Sequence, residues 1–170
     1  MFKVIREGKA SVVTDHIDTF TETGIRTRSG LELEADVIVT ATGLKLKFLG
    51  GIAVDVDGAA IEPAKQMTYK GLMCSDVPNF ALAVGYTNAS WTLKCDLTSE
   101  FVCRVLNHMD RHGYKVCRPH NDDPSVEALP LLDFSSGYVV RDIDKFPKQG
   151  SRAPWRLYQN YLLDRAALRH

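Results

Sequence analysis

Apolar and polar positions change rhythm several times along this chain, and each change marks an element. The clearest is at residues 77–113. Phe80, Ala81, Leu82, Ala83 and Val84 form an unbroken apolar run between Pro78 and Gly85, the pattern of a strand covered on both faces. Thr87, Asn88 and Ser90 are helix-capping residue types, so a helix is predicted to begin near Asn88 or Ser90. Leu93, Leu97, Phe101 and Val105 then recur every four residues, with Val102, Leu106 and Met109 alongside, and Gly113 stands where a helix stop belongs. Strand, glycine turn and helix together aim the helix's free N–H groups and positive dipole end at the crevice beyond the strand, where an anionic or electron-rich ligand is favoured. Any α/β protein contains such units, so the pattern alone does not separate a ligand site from plain packing.

The remaining rhythms are shorter. Phe2, Val4 and Ile5 predict a helix turn ending at Gly8, and the β-branched stretches Ala10–Thr14 and Ile17–Phe20 predict strands. Residues 24–36 alternate around Ser29-Gly30 as a hairpin, with Ile25, Leu31, Leu33 and Ala35 on one face and Arg26, Arg28, Glu32 and Glu34 on the other. Asp36–Gly43 loses the alternation at Val37, Ile38 and Val39 and predicts a central strand, whose small exit residues Ala41, Thr42 and Gly43 permit close approach of a ligand or of another chain segment. Leu44–Leu49 alternates with lysine and is broken by Gly50-Gly51, and Asp57-Gly58 predicts a second hairpin turn within residues 52–61. Met67–Ser75 reads as a short strand or irregular segment, and residues 121–130 as a polar surface connection. Tyr138, Val139 and Val140 predict a strand, and Pro154–Leu168 a closing helix with Trp155, Tyr158, Tyr161 and Leu162 inward.

Composition narrows the class. The 170 residues are 45% hydrophobic and 25% charged, with 21 basic and 21 acidic side chains, an ordinary balance for a globular domain that gives no global attraction to nucleic acid. No apolar run reaches transmembrane length and the first residues lack a signal-peptide core, so a cytoplasmic location is expected. Cys74, Cys95, Cys103 and Cys117 show no paired spacing, which argues against disulfides. His108, His112, Cys117 and His120 resemble a metal spacing, but a helix end favours histidine through its dipole and a second cysteine pair is missing; no metal site is assigned. Asp55 and Asp57 lack the other ligands of a calcium loop. Lys145, Lys148, Arg152 and Arg156 alternate with aromatic residues, yet interspersed acids favour a packed tail over a nucleic-acid surface.

Three stretches go beyond periodicity. LEADVIVTATGL (residues 33–44) resembles the ATG strand of flavin-dependent monooxygenases with two dinucleotide-binding domains, the group that includes flavin-containing and Baeyer-Villiger enzymes. GYTNASWTLKCDLTSEFVCRVLNHM (residues 85–109) and FPKQGSRAPWRLYQNYLLD (residues 146–164) resemble its ethionamide-activating branch. The resemblance implies an α/β, Rossmann-like fold, here an incomplete parallel sheet plus β-hairpins. It also implies use of FAD and NADPH to place one oxygen atom from O2 on a ketone, sulfide, thioamide or amine. By the same resemblance, residues 1–35 are the end of the NADPH-domain insertion with its return hairpin. Residues 36–120 are the carboxyl-terminal part of the FAD domain, and residues 121–170 an extension packed on it. Thr42 and Gly43 then lie near the cofactor or the domain junction, and Asn88, Ala89 and Ser90 face the flavin ring.

The departures are as informative. No GxGxxG occurs, and a dinucleotide pyrophosphate requires that turn for the backbone to approach it. No catalytic residue is therefore assigned, and the chain is expected to be the carboxyl-terminal portion of such an enzyme, inactive alone and dependent on an amino-terminal half in trans. The competing expectation is a non-catalytic interaction module that pairs through an exposed sheet edge.

Overall fold

The computed structural model describes residues 2–132 and 134–169, and the chain divides into two compact units, Met1–Thr42 and Gly43–His170. In the first, helix α1 (Phe2–Arg6) stops at Gly8, whose φ of 69° lets its N–H reach the Ile5 carbonyl at 3.0 Å. Strands β1 (Ile17–Thr21), β2 (Gly24–Thr27) and β3 (Glu32–Glu34) form an antiparallel sheet in that order. The Ser29-Gly30 hairpin has the expected register: Ile25 faces Leu33, while Arg26 faces Glu32 and pairs with it at 2.8 Å. Asp15 fastens this turn by accepting the Ser29 N–H at 3.1 Å, and hydrogen bonds from Ser29 and Thr27 hold its carboxyl well below the ordinary range. A Cβ on Gly24 would stand 1.9 Å from the Leu33 carbonyl oxygen, so only glycine fits there.

The second unit opens with a turn at Phe48–Gly51 and carries two tight hairpins. Strands β4 (Asp55–Val56) and β5 (Ala59–Ala60) join through Asp57-Gly58, both at positive φ, as the sequence predicts. Strands β6 (Thr68–Tyr69) and β7 (Met73–Cys74) join through Lys70-Gly71, at φ 51° and 69°. Helix α2 (Trp91–His112) is about six turns long. Gly113, left-handed at φ 69°, ends it, and the Tyr114 N–H returns to Met109 at 2.9 Å. Strand β8 (Ala128–Pro130), the single turn α3 (Gly137–Val140), strand β9 (Lys148–Gly150) and helix α4 (Tyr161–Leu168) complete the unit. β8 pairs antiparallel with β9, and β9 reaches the β6–β7 hairpin through the Lys148 N–H bond to Gln66 at 2.8 Å.

The core lies between α2, α4 and that hairpin, where Leu72, Met73, Leu97, Phe101 and Leu168 pack together with Tyr69, Val105 and Tyr161 against them. It covers a narrower part of α2 than the apolar stripe implies: the buried line is Lys94, Leu97, Thr98 and Phe101, while Leu93 and Leu106 are exposed. The KQGSRAPW motif is a packing device. Gly150 donates to the Trp155 carbonyl at 2.8 Å, and a Cβ there would stand 2.4 Å from Trp155, whose side chain is buried.

Several expectations are corrected. Ala10–Thr14 is irregular, and neither Asp36–Gly43 nor Phe80–Val84 is a strand. Among the described residues every ladder between strands is antiparallel and the one parallel contact is the isolated Met67–Lys148 bridge, so these residues do not show the expected parallel sheet. The reason is that an unalternating apolar strand is held by neighbours on both edges and cover on both faces. Here Val37 and Val39 are 78% and 83% exposed, and among the described residues the Phe80–Val84 run is tied to the hairpin by one backbone hydrogen bond, from the Leu82 N–H to the Leu72 carbonyl at 2.7 Å. Tyr138–Val140 lies in α3 rather than a strand, with Val139 buried. The closing helix begins at Tyr161, not Pro154, because Asn160 caps it by accepting the N–H groups of Leu162 and Leu163; Asp164 and Leu168 are its buried positions and Leu162 is exposed.

Candidate functional site

The loop from Gly85 to Ser90 leads into α2, and its geometry is set by Gly85. A Cβ there would lie 2.2 Å from the Trp91 ring and 2.6 Å from its Cα, so the absent side chain is what lets the loop fold back on the first helical residue. Ser90 occupies the cap position, but its hydroxyl bonds to Thr92 Oγ1 at 3.0 Å instead of to a backbone N–H. The helix start is thus left without a side-chain cap from Ser90, and the first N–H groups of any helix lack intrahelical acceptors and carry the positive end of its dipole.

Beside this loop runs a cleft of about 70 Å³, walled by Phe48, Leu72, Leu82, Val84, Leu131 and Leu157, with Thr68, Thr87, Lys94 and Gln159 as polar members. Cys74 also lines it, and burial pushes that thiol up to about 11. Behind the loop, Lys94 Nζ lies 3.0 Å from Asp164 Oδ1, both side chains 5% exposed. Nζ also lies 5.7 Å from the centre of the Tyr86 ring. Burial and then the Asp164 carboxylate raise the Tyr86 hydroxyl above its usual range.

Of the residues expected at a cofactor, Asn88, Ala89 and Ser90 come together in this one exposed loop, with Asn88 Nδ2 donating to the Gln159 carbonyl at 3.1 Å. Thr42 is the exposed last residue of the first unit. Gly43 opens the second at φ 88°, where a Cβ would approach the Tyr138 side chain to 3.1 Å. Lys94, Tyr86, Gln159 and Asp164 are not legible as site residues in the sequence. The one signal is that Lys94 stands three residues before Leu97, on the buried face, where a cation needs a partner; nothing local names Asp164 as that partner.

The residues present suit part of a dinucleotide cofactor. Gly85 and Thr87 bring this loop to the apolar wall, and the helix start that follows it, uncapped by a side chain, suits an electron-rich ring edge. The cleft is well below the ~300–1,000 Å³ typical of a pocket that encloses such a ligand, and no glycine-rich loop is present for a pyrophosphate.

The histidines of the metal-like spacing are placed otherwise: the His108 and His112 rings lie 4.2 Å apart, and His120 meets Asp76 at 2.5 Å and Asp122 at 3.2 Å. Among the described residues no group of three or more His, Cys, Asp or Glu is placed to hold a metal ion. The tail cations have acidic neighbours, Lys145 with Asp142, Lys148 with Asp144 and Arg152 with Asp123. Among the described residues no helix is long and apolar enough to cross a membrane.

No family model matches the chain, and no solved structure does. Curated proteins do. The FAD-containing monooxygenase EthA of Mycolicibacterium smegmatis is 55% identical over 170 residues, all of this chain and 35% of that protein. The probable FAD-binding monooxygenase AlmA of Acinetobacter baylyi is 48% identical over 171 residues, all of this chain and 34% of its own length. The putative FAD-containing monooxygenase MymA of Mycobacterium tuberculosis is 48% identical over 165 residues, 96% of this chain and 33% of its own length. Identity of this order along the whole chain, at about a third of the length of each relative, makes the chain homologous to one portion of the EthA-like FAD-containing monooxygenases.

Proposed function

We propose that this chain supplies the closing part of the FAD domain of an FAD- and NADPH-dependent monooxygenase, with the Gly85–Ser90 loop and the start of α2 turned towards the flavin. The observation that carries the reading is the pairing of an uncapped helix start with an apolar cleft at the TNASW loop. Reduced FAD is the group that activates O2 in such an enzyme, for transfer of one oxygen atom to a ketone, sulfide, thioamide or amine. This chain's part is to place backbone donors near Asn88, Ala89 and Ser90 against the ring, and apolar side chains such as Leu82 and Val84 that exclude water. Thr42 and Gly43 belong to the strand exit near the cofactor in this reading. The domain roles of residues 1–35, 36–120 and 121–170 follow from the same proposal, as does a cytoplasmic location.

The two apolar segments that are not strands here become neighbours in a parallel sheet once the remainder of the flavoprotein is present. In support, Val37, Val39 and Val84 are exposed, and a groove of about 310 Å³ along α2, lined by Phe80, Ala81, Val102, Val105 and Leu106, is open to a covering segment. The partner is accordingly an amino-terminal portion of the same kind of enzyme, and the chain alone binds FAD weakly or not at all.

Co-expression with the remaining two thirds of the Mycolicibacterium smegmatis relative, followed by flavin absorbance and by NADPH oxidation with a sulfide substrate, tests this. A yellow assembly that makes one sulfoxide per NADPH supports it. An isolated chain that binds FAD and is yellow overturns the dependence on a second portion, and an assembly that takes up no flavin overturns the site.

A further inference from the structure

Where the carboxyl-terminal segment crosses the start of α2, polar groups are buried together. Beyond the Lys94–Asp164 pair, the hydroxyls of Tyr86 and Thr98 and the second Asp164 oxygen are buried without a well-formed hydrogen bond among the described residues. A well-packed apolar replacement is often no less stable than such a pair, so stability alone does not account for it. Just ahead of α4, Gln159 adopts a left-handed φ of 51°. Its Oε1 accepts both the N–H and the hydroxyl of Thr87, each at 3.2 Å, and its carbonyl accepts Asn88 Nδ2 at 3.1 Å. Among the described residues, every hydrogen bond donated by Thr87 and Asn88 ends on Gln159. Further along, Lys70 Nζ reaches the Ala167 carbonyl at 2.7 Å and Arg104 reaches that of Leu168.

We infer that residues 159–168 form a clasp that positions the Gly85–Ser90 loop, with Gln159 as the positioning residue and the Lys94–Asp164 pair as its anchor. The inference rests on the reading of that loop as the flavin-facing surface. An exposed loop with no ladder of its own samples many backbone states, and fixing it beforehand removes that ordering cost from ligand binding. The clasp does this from outside the loop: Gln159 holds Thr87 and Asn88, and the buried ion pair holds α4 against α2 so that Gln159 stays in reach.

Hydrogen exchange read by mass spectrometry on the 170-residue chain tests the clasp without any cofactor. Loss of one such hydrogen bond in Gln159→Ala is expected to speed exchange at Thr87 by about 5- to 10-fold, while the β6–β7 hairpin and the β8–β9 pair stay as in the parent. Gln159→Glu keeps an oxygen acceptor for both Thr87 donors and is expected to restore protection. Asp164→Asn is expected to loosen the loop and α4 together. Unchanged exchange at Thr87 in Gln159→Ala, or a uniform rise throughout the unit, overturns the clasp. In the assembly with the remaining portion of the relative, FAD affinity is expected to fall about 5- to 10-fold in Gln159→Ala and to recover in Gln159→Glu. Equal affinity in all three overturns its role towards the ligand. A parent assembly that binds no flavin counts against the flavin reading, and the exchange arm still decides the clasp.

Discussion

Replacing Lys94 with Met removes the cation from a site where Asp164 is 5% exposed and held at 3.0 Å. The methionine fills nearly the same volume, so the change is almost purely electrostatic. What remains is a buried carboxylate with one oxygen already lacking a well-formed hydrogen bond. Breaking a buried pair in this way costs about 3–5 kcal/mol, because the surviving charge keeps its desolvation penalty and loses its compensation. For a unit of this size each kcal/mol moves Tm by about 3–5 °C, so Lys94→Met is expected to melt about 10–20 °C lower. Thermal and urea unfolding followed by far-ultraviolet circular dichroism measures the loss. The double variant Lys94→Met with Asp164→Leu is the decisive companion: with both charges gone, stability is expected to return to within about 1.5 kcal/mol of the parent. A single variant that melts with the parent, or a double variant as unstable as the single one, refutes the reasoning.

Gly85→Ala places a methyl group against Trp91 and is expected to cost about 1–3 kcal/mol while shifting Trp91 emission, since the ring or the helix start must move. Phe101→Ala, in the middle of the core, is expected to lower stability by about 3–5 kcal/mol in urea titration. Cys74 and Cys103 separate by alkylation and mass spectrometry: exposed Cys103 reacts readily at mildly alkaline pH, whereas buried Cys74, its thiol raised to about 11, resists until the chain unfolds. The sign for stability follows from the same shift. The folded state holds the Cys74 proton more tightly than the unfolded state, so this contribution is complete below pH 9.0 and is lost as pH rises towards 11; a urea midpoint that falls more steeply over that window in the parent than in Cys74→Ala checks it, the buried tyrosines giving the fall that both share.

How much was legible in the chain depended on how far each decision reaches. The turns at Gly8, Ser29-Gly30, Asp57-Gly58 and Gly113 stand where the sequence puts them, because each is settled by the φ angles of one or two residues. The long helix is legible for a related reason: its period repeats over six turns and its stop is a single glycine. The two unalternating apolar runs do not form strands because a strand is a property of a pair, and among the described residues neither 36–43 nor 80–84 is laddered to another strand. Likewise Tyr138–Val140 has strand-forming residues but no ladder to join, and closes a helical turn instead.

The likeness to EthA-type enzymes was legible in the residues themselves, in ATG, TNASW and KQGSRAPW, and the 55% identity to the Mycolicibacterium smegmatis protein runs the length of the chain. Only the tertiary structure decided that Lys94 is buried, that Asp164 is its partner and that Gln159 holds Thr87 and Asn88. The physical reason is that a buried charge chooses its partner by where the chain returns in space, and that return is set by packing between α2 and α4, which no local pattern encodes.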